Sequence, residues 1–217
     1  TVRVLDDLVK KYAIKKLPVI IFGHSFGSFI VQDYIQRYSK RPTKVIICGT
    51  DGDESKLAYS LGYQLTRLVC QLRGENTKGK FLQSMVTGAF GKSIKDKETD
   101  CDWLSYDKEN IQKYIADPKC GAGSSNGFFR EMLKGNRRLY KKKFLNKINK
   151  NLHIFVIAGA EDPVGKYGKG PTRLAKLYEK LGIKDVALKI YPHMRHEILN
   201  ETDKDLVLND ILEFIEK

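Results

Sequence analysis

Ser25 stands in the stretch Gly23-His24-Ser25-Phe26-Gly27, directly after an apolar run and directly before a helix-like pattern. A serine hydroxyl is a weak nucleophile at neutral pH and needs an adjacent base, which in turn needs a group to orient it. Candidates for both follow later apolar runs: Asp162 in "GAEDPVG" and His196 in "PHMRHEILNE". Serine, carboxylate and histidine in that chain order are the residue types of nucleophilic acyl transfer.

The spacing G-x-S-x-G has a physical basis. A strand turning into a helix within about two residues leaves the serine at a strained tip, so small residues are expected two positions to either side, here Gly23 and Gly27. The helix start behind the serine presents the backbone N–H of Phe26 to a developing oxyanion. The motif alone is a weak signal; its place between a buried strand and a helix strengthens it.

The chain has four histidines. His24 is adjacent to Ser25 and is expected to pack or hydrogen-bond beside the site. His153 opens an apolar run and reads as structural. His193 and His196 share one loop, and their i, i+3 spacing next to Glu197 would suit a metal only on a fixed helical face. No metal is therefore expected, and His196 is assigned as the base. For the orienting acid, Asp162 precedes Pro163, which constrains its backbone; the neighbouring Glu161 is the alternative.

These residues need a scaffold that brings them to one edge. Val2–Tyr12 has helical spacing. "LPVIIF" (Leu17–Phe22) and "KVIIC" (Lys44–Cys48) read as strands buried on both faces, the second closed by the turn-rich Gly49–Asp53. Phe26–Tyr38 has a helix pattern. His153–Ala158 and Val186–Tyr191 read as further strands, with a helix at Thr172–Leu181 between them. A closing helix over Asp203–Glu216 is expected, capped at Thr202 or Asp203. Strands alternating with helices give an α/β fold with a parallel sheet and helices on both faces. In such sheets the chemistry lies beyond the strands' carboxyl ends. Residues 1–53 and 147–217 form this core. Residues 54–146 carry helical patterns at "KLAYSLGYQLTRLVCQL" and "GFFREMLKGNRRLY", with loops between them, and read as an insertion between the second and third strands.

At 217 residues, 41% hydrophobic and 30% charged, the composition is that of a globular chain. Its formal charge of +13 is spread over scattered lysines, except in "RRLYKKKFLNKINK" (Arg137–Lys150). There the mixture of basic and apolar residues suits a weak contact with an anionic membrane surface. Tyr140 and Phe144, four apart, would share one helix face and pack rather than stack on bases, so no nucleic-acid partner is expected. The four cysteines form no CxxC pair, which argues against zinc, and nothing marks a disulfide framework, so a reducing, cytoplasmic setting is expected. No signal peptide and no membrane-length apolar run appears.

The stretches "FGHSFGSFIVQDYI", "DWLSYDKENIQKYIADPKCG", "NGFFREML", "AGAEDPVGKYGKGP" and "YPHMRHEILNE" together resemble α/β-hydrolases of the lysophospholipase and monoacylglycerol lipase type, the serine aminopeptidase-like group. The resemblance implies Ser25 as nucleophile, Asp162 as orienting acid and His196 as base, with no cofactor. It also implies that 54–146 forms a cap, or lid, over an acyl pocket. The function expected is cleavage of carboxylic esters of apolar acyl groups; a thioesterase, acyltransferase or aminopeptidase on the same triad, or a non-catalytic binding protein, are the alternatives. The family begins with several more strands and a His-Gly loop that donates a second oxyanion N–H, and the sequence lacks both. Strand 17–22 would then have an open apolar edge. Further residues before Thr1, or a partner fragment pairing with that strand, are expected.

Overall fold

The computed structural model describes residues 1–52 and 56–217, and the side chains of all of these except Lys56 and Ala58. The expected boundary at 53/54, with Asp53 and Glu54, lies outside the described residues.

Four parallel strands, β1 (Ile20–His24), β2 (Lys44–Cys48), β3 (His153–Gly159) and β4 (Asp185–Tyr191), pair in sequence order. Registers such as His24 opposite Cys48, and Cys48 opposite Ile157, align the carboxyl ends of the first three strands. Residues alternate between the two faces of each strand. Ile21, Val45, Ile47, Ile154 and Val156 face one core, with helices α1 (Val2–Tyr12), α2 (Phe26–Arg37) and α8 (Lys169–Lys180). Ile46, Cys48, Phe155 and Ile157 face the other, covered by α9 (Lys204–Glu216). Each fully buried Val, Ile or Phe contributes about 1.5–3 kcal/mol relative to exposure, so both faces of β2 and β3 are firmly anchored.

Between β2 and β3 the described chain is helical: α3 (Lys56–Arg73), α4 (Lys80–Lys92), α5 (Lys108–Ala116), α6 (Asn126–Leu139) and α7 (Lys142–Leu145). Val69, Leu82 and Phe129 form a small core of their own there. Leu139, Tyr140, Leu145 and Ile148, by contrast, join the main core beside α2. The sequence reading missed α4 and α5. Helix α4 carries three glycines or serines within "QSMVTGAFGK", which dilute the pattern, and α5 is short and capped by Asp107, whose Oδ1 accepts from the N–H of Glu109 and of Asn110.

Three further expectations are corrected. The first strand begins at Ile20 rather than Leu17 and is not buried on both faces: Leu17 is 60% and Phe22 40% exposed, because β1 is an edge strand among the described residues. Tyr140 and Phe144 do not share a helix, because α6 ends at Leu139. Tyr140 is buried, while Phe144 lies under the Arg138 guanidinium at 3.8 Å. Asp203 sits at the start of α9 but its side chain makes no capping bond. The far end of α9 is tied instead by buried Lys44, whose Nζ donates to the carbonyls of Phe214 and Ile215, both at 2.9 Å, a cation at a helix carboxyl terminus. No helix among the described residues is long and apolar enough to cross a membrane.

Candidate active site

Ser25 is the N-cap residue of α2, with φ 54° and ψ −120°, a positive-φ conformation that L-residues rarely adopt. Such a backbone costs on the order of 1–3 kcal/mol and persists only when its surroundings over-determine it. They do so here. The Ser25 N–H donates to the Cys48 carbonyl at 3.0 Å, and the Ser25 carbonyl accepts from Ser28 N–H at 2.9 Å and from Ser28 Oγ at 2.5 Å. Gly23 allows the reversal: a Cβ there would lie 2.5 Å from the Gly27 carbonyl oxygen and 2.6 Å from Val31 Cγ2. Gly27 is different. A Cβ there would meet nothing within 4 Å, so the expected need for a small residue on that side does not arise from the described packing. Phe26 is the first residue of α2, and its N–H has no intrahelical acceptor.

The histidine and the carboxylate meet on the same sheet edge. His196 Nδ1 lies 3.0 Å from Asp162 Oδ2, and both side chains are buried, 2% and 0% exposed. A carboxylate accepts only, so Nδ1 carries the hydrogen and Nε2 keeps a free lone pair. The other carboxylate oxygen, Oδ1, accepts from Val164 N–H at 2.8 Å, which fixes the Asp-Pro-Val turn. Glu161, the alternative acid, turns away and hydrogen-bonds the Tyr106 hydroxyl. Ser25 Oγ makes no hydrogen bond among the described residues. Nucleophile–base contacts are often looser before substrate binds.

His24 is tied to the His196 backbone. Its Nε2 lies 3.0 Å from the His196 carbonyl oxygen, which can only accept, so Nε2 is the donor. The two rings sit 4.6 Å apart. Burial, reinforced by His196 alongside, lowers the pKa of His24 and keeps it neutral. His153 pairs with Asp185 across β3 and β4 at 2.5 Å, away from this edge. His193 is exposed, 3.7 Å from Glu161.

Several residues that position the site were not singled out from the sequence. Gly49, with φ +57°, lets His24 and His196 approach: a Cβ would lie 3.1 Å from atoms of both rings. Gly159 ends β3 where the histidine loop crosses it, and a Cβ would fall 2.2 Å from the carbonyl oxygens of both Met194 and Arg195. Trp103, on the loop before α5, contacts the His196 ring at 5.2 Å and is itself met by Phe90 at the same distance. Glycines at the carboxyl ends of two apolar runs were a readable signal; nothing in the spacing pointed to Trp103.

Beside the elbow lies an apolar cavity of ≈ 200 Å³, lined in part by Phe26, Phe29, Ile30, Phe128, Met132 and Leu139. It runs from the start of α2 to the face of α6.

Comparison with known proteins gives the family of the chain. The sequence profile of the family described as "Serine aminopeptidase, S33" matches residues 2–203. A monoacylglycerol lipase of Mycolicibacterium smegmatis (strain ATCC 700084 / mc(2)155) is 26% identical over 202 residues, covering 92% of this chain and 62% of its own length. A caffeoylshikimate esterase of Arabidopsis thaliana is 30% identical over 213 residues, covering 94% and 56%. The chain thus spans about three fifths of the length of these relatives. The crystal structure of a thermostable carboxyl esterase from Bacillus coagulans, in complex with glycerol, superposes with a TM-score of 0.86 at 25% identity, covering 99% of this chain and 69% of that one. The chain belongs to the serine aminopeptidase S33 family of α/β-hydrolases.

Proposed function

We propose that the protein is a serine-dependent carboxylic ester hydrolase in which Ser25 is the nucleophile, His196 the general base and Asp162 the residue that orients the base. The observation that carries this reading is the buried His196–Asp162 contact at 3.0 Å, on the sheet edge where Ser25 stands at the strained head of α2. His196 Nε2 takes the proton from Ser25 Oγ as it attacks the ester carbonyl. The tetrahedral oxyanion draws on the Phe26 N–H. Collapse expels the alcohol, which takes the proton back from His196, and leaves an acyl-enzyme. Water, activated by the same imidazole, then releases the acid. No step calls for a metal or cofactor.

The acyl group proposed is apolar, seated in the cavity between Phe26 and α6, with residues 54–146 acting as its cap. The relatives support an ester of a polyol or hydroxylated alcohol: one is named a monoacylglycerol lipase, one a caffeoylshikimate esterase, and one esterase was crystallised with glycerol.

A fluorophosphonate probe tests the nucleophile. Labelling is expected in the wild type and absent in Ser25→Ala, with hydrolysis of p-nitrophenyl esters reduced by roughly 10³-fold or more. Unchanged labelling of Ser25→Ala would reject the assignment. A series of p-nitrophenyl esters of rising chain length then reads the acyl preference. A fall in kcat/KM from acetate to octanoate would reject the apolar cavity as the acyl site.

A further inference from the structure

Glu201 is a carboxylate with 3% exposure and no ion-pair partner among the described residues. A buried charge without a counter-ion must be matched by directed hydrogen bonds, and Glu201 has three. Its Oε1 accepts from the backbone N–H of Arg195 at 2.7 Å. Its Oε2 accepts from the backbone N–H of Tyr106 at 2.8 Å and from Ser105 Oγ at 2.7 Å. One oxygen therefore holds the residue immediately before His196. The other holds the loop that follows Trp103, the ring in contact with the imidazole.

The two loops are joined by further bonds around the same point. Arg195 Nη1 donates to the carbonyls of Asp102 at 2.6 Å and Ser105 at 3.3 Å. Glu197 N–H donates to the Leu104 carbonyl at 2.7 Å, and His196 N–H to the Trp103 carbonyl at 3.4 Å. Only Glu201 is a buried charge in this set, and only its side chain bridges both backbones through N–H donors. Such charge-assisted bonds are about twice as strong as neutral ones.

We propose that Glu201 is a positioning residue for the base: it fixes the backbone beside His196 against the 102–106 segment, so that the imidazole stays on Asp162 with Nε2 turned to the nucleophile. This rests on His196 being the base, as proposed above. The requirement is for a carboxylate specifically. Both oxygens accept from backbone N–H groups, so in Glu201→Gln one donor must face the amide NH₂ whichever way the amide turns.

The test uses the purified, intact protein and a soluble p-nitrophenyl ester. In Glu201→Gln, kcat is expected to fall about 10- to 100-fold, the cost of a misplaced catalytic group, with KM within about twofold. Glu201→Asp keeps the charge but shortens the reach, and should fall between the two. The discriminating measurement is a double-mutant cycle: in a His196→Ala background, Glu201→Gln should leave the residual rate unchanged, because it acts only through the imidazole. If Glu201→Gln does not fold, Glu201→Asp with the same cycle carries the test. A folded variant with wild-type kcat overturns the proposal, as does an equal loss in the His196→Ala background. Loss of Ser25 labelling in the wild type would instead strike the proposed function, so the two failures are distinguishable.

Discussion

The elbow around Ser25 and the loop carrying His196 are two solutions to the same task, holding a reactive side chain in one pose. The elbow is built mostly from its own neighbours, with one tie from the Ser25 N–H to the Cys48 carbonyl on β2. Ser28 ties the Ser25 carbonyl three residues away, and Gly23 clears space for Gly27 and Val31. The histidine loop is built from distant chain. Asp162 is 34 residues away, His24 is 172 away, and Ser105 is 96 from Glu201. A locally built pose leaves a motif in the sequence. A pose built at long range leaves isolated residues whose meaning depends on the fold.

The largest effect that would test this contrast is at the long-range contact itself. Asp162→Asn keeps the shape but presents an amide to Nδ1 and so favours the wrong tautomer; kcat is expected to fall about 10⁴-fold, with little change in KM. A loss under tenfold would mean that His196 is held by its loop alone. Next is Gly159→Ala, which drives a methyl into two carbonyls of the histidine loop at 2.2 Å. Chemical denaturation should show a loss of about 2–4 kcal/mol, and ester hydrolysis should fall with it. Wild-type activity would show that the loop is not placed by this crossing.

The elbow makes a finer prediction, because its two glycines are not equivalent. Gly23→Ala should cost about 1–3 kcal/mol through the clash with the Gly27 carbonyl and Val31. Gly27→Ala, in a helix with open space around it, should be neutral or stabilise by up to about 1 kcal/mol. Equal losses at both positions would restore the symmetric reading of the motif. The smallest effect concerns His24, whose folded pKa lies below its ordinary 6.5. A depressed folded pKa means that the unfolded chain binds the extra proton first. The stability this histidine contributes is present above pH 6.5 and is lost as the pH falls through the folded value. Denaturation midpoints of His24→Gln should therefore fall less steeply than those of the wild type as the pH is lowered below 6.5; parallel curves would place the titration elsewhere.

What could be read in advance follows the same division. The strand and helix patterns around Lys44–Cys48, His153–Gly159 and Phe26–Arg37 were legible because burial on both faces of a sheet demands near-continuous apolar runs. The elbow was legible because a strained turn demands a glycine at 23. The edge strand β1 was read as more buried than it is, since an apolar run looks alike at the centre and at the rim. Helices α4 and α5 escaped because their apolar periodicity is interrupted. Trp103 and Glu201 escaped because a tryptophan in a loop, or a glutamate before a helix, carries no periodic signal.

The sequence by itself determined the parallel α/β scaffold, the strained serine and the order of the three polar residues, since each follows from local spacing and burial. Only the tertiary structure decided which carboxylate meets His196, that Glu161 turns away to Tyr106, and that Gly159 and Glu201 fix the path of the histidine loop. The physical reason is distance along the chain. Contacts such as His196–Asp162, 34 positions apart, Tyr106–Glu161, 55 apart, and Ser105–Glu201, 96 apart, are set by the register of the sheet and the packing of the loops on it, and short-range spacing does not encode them.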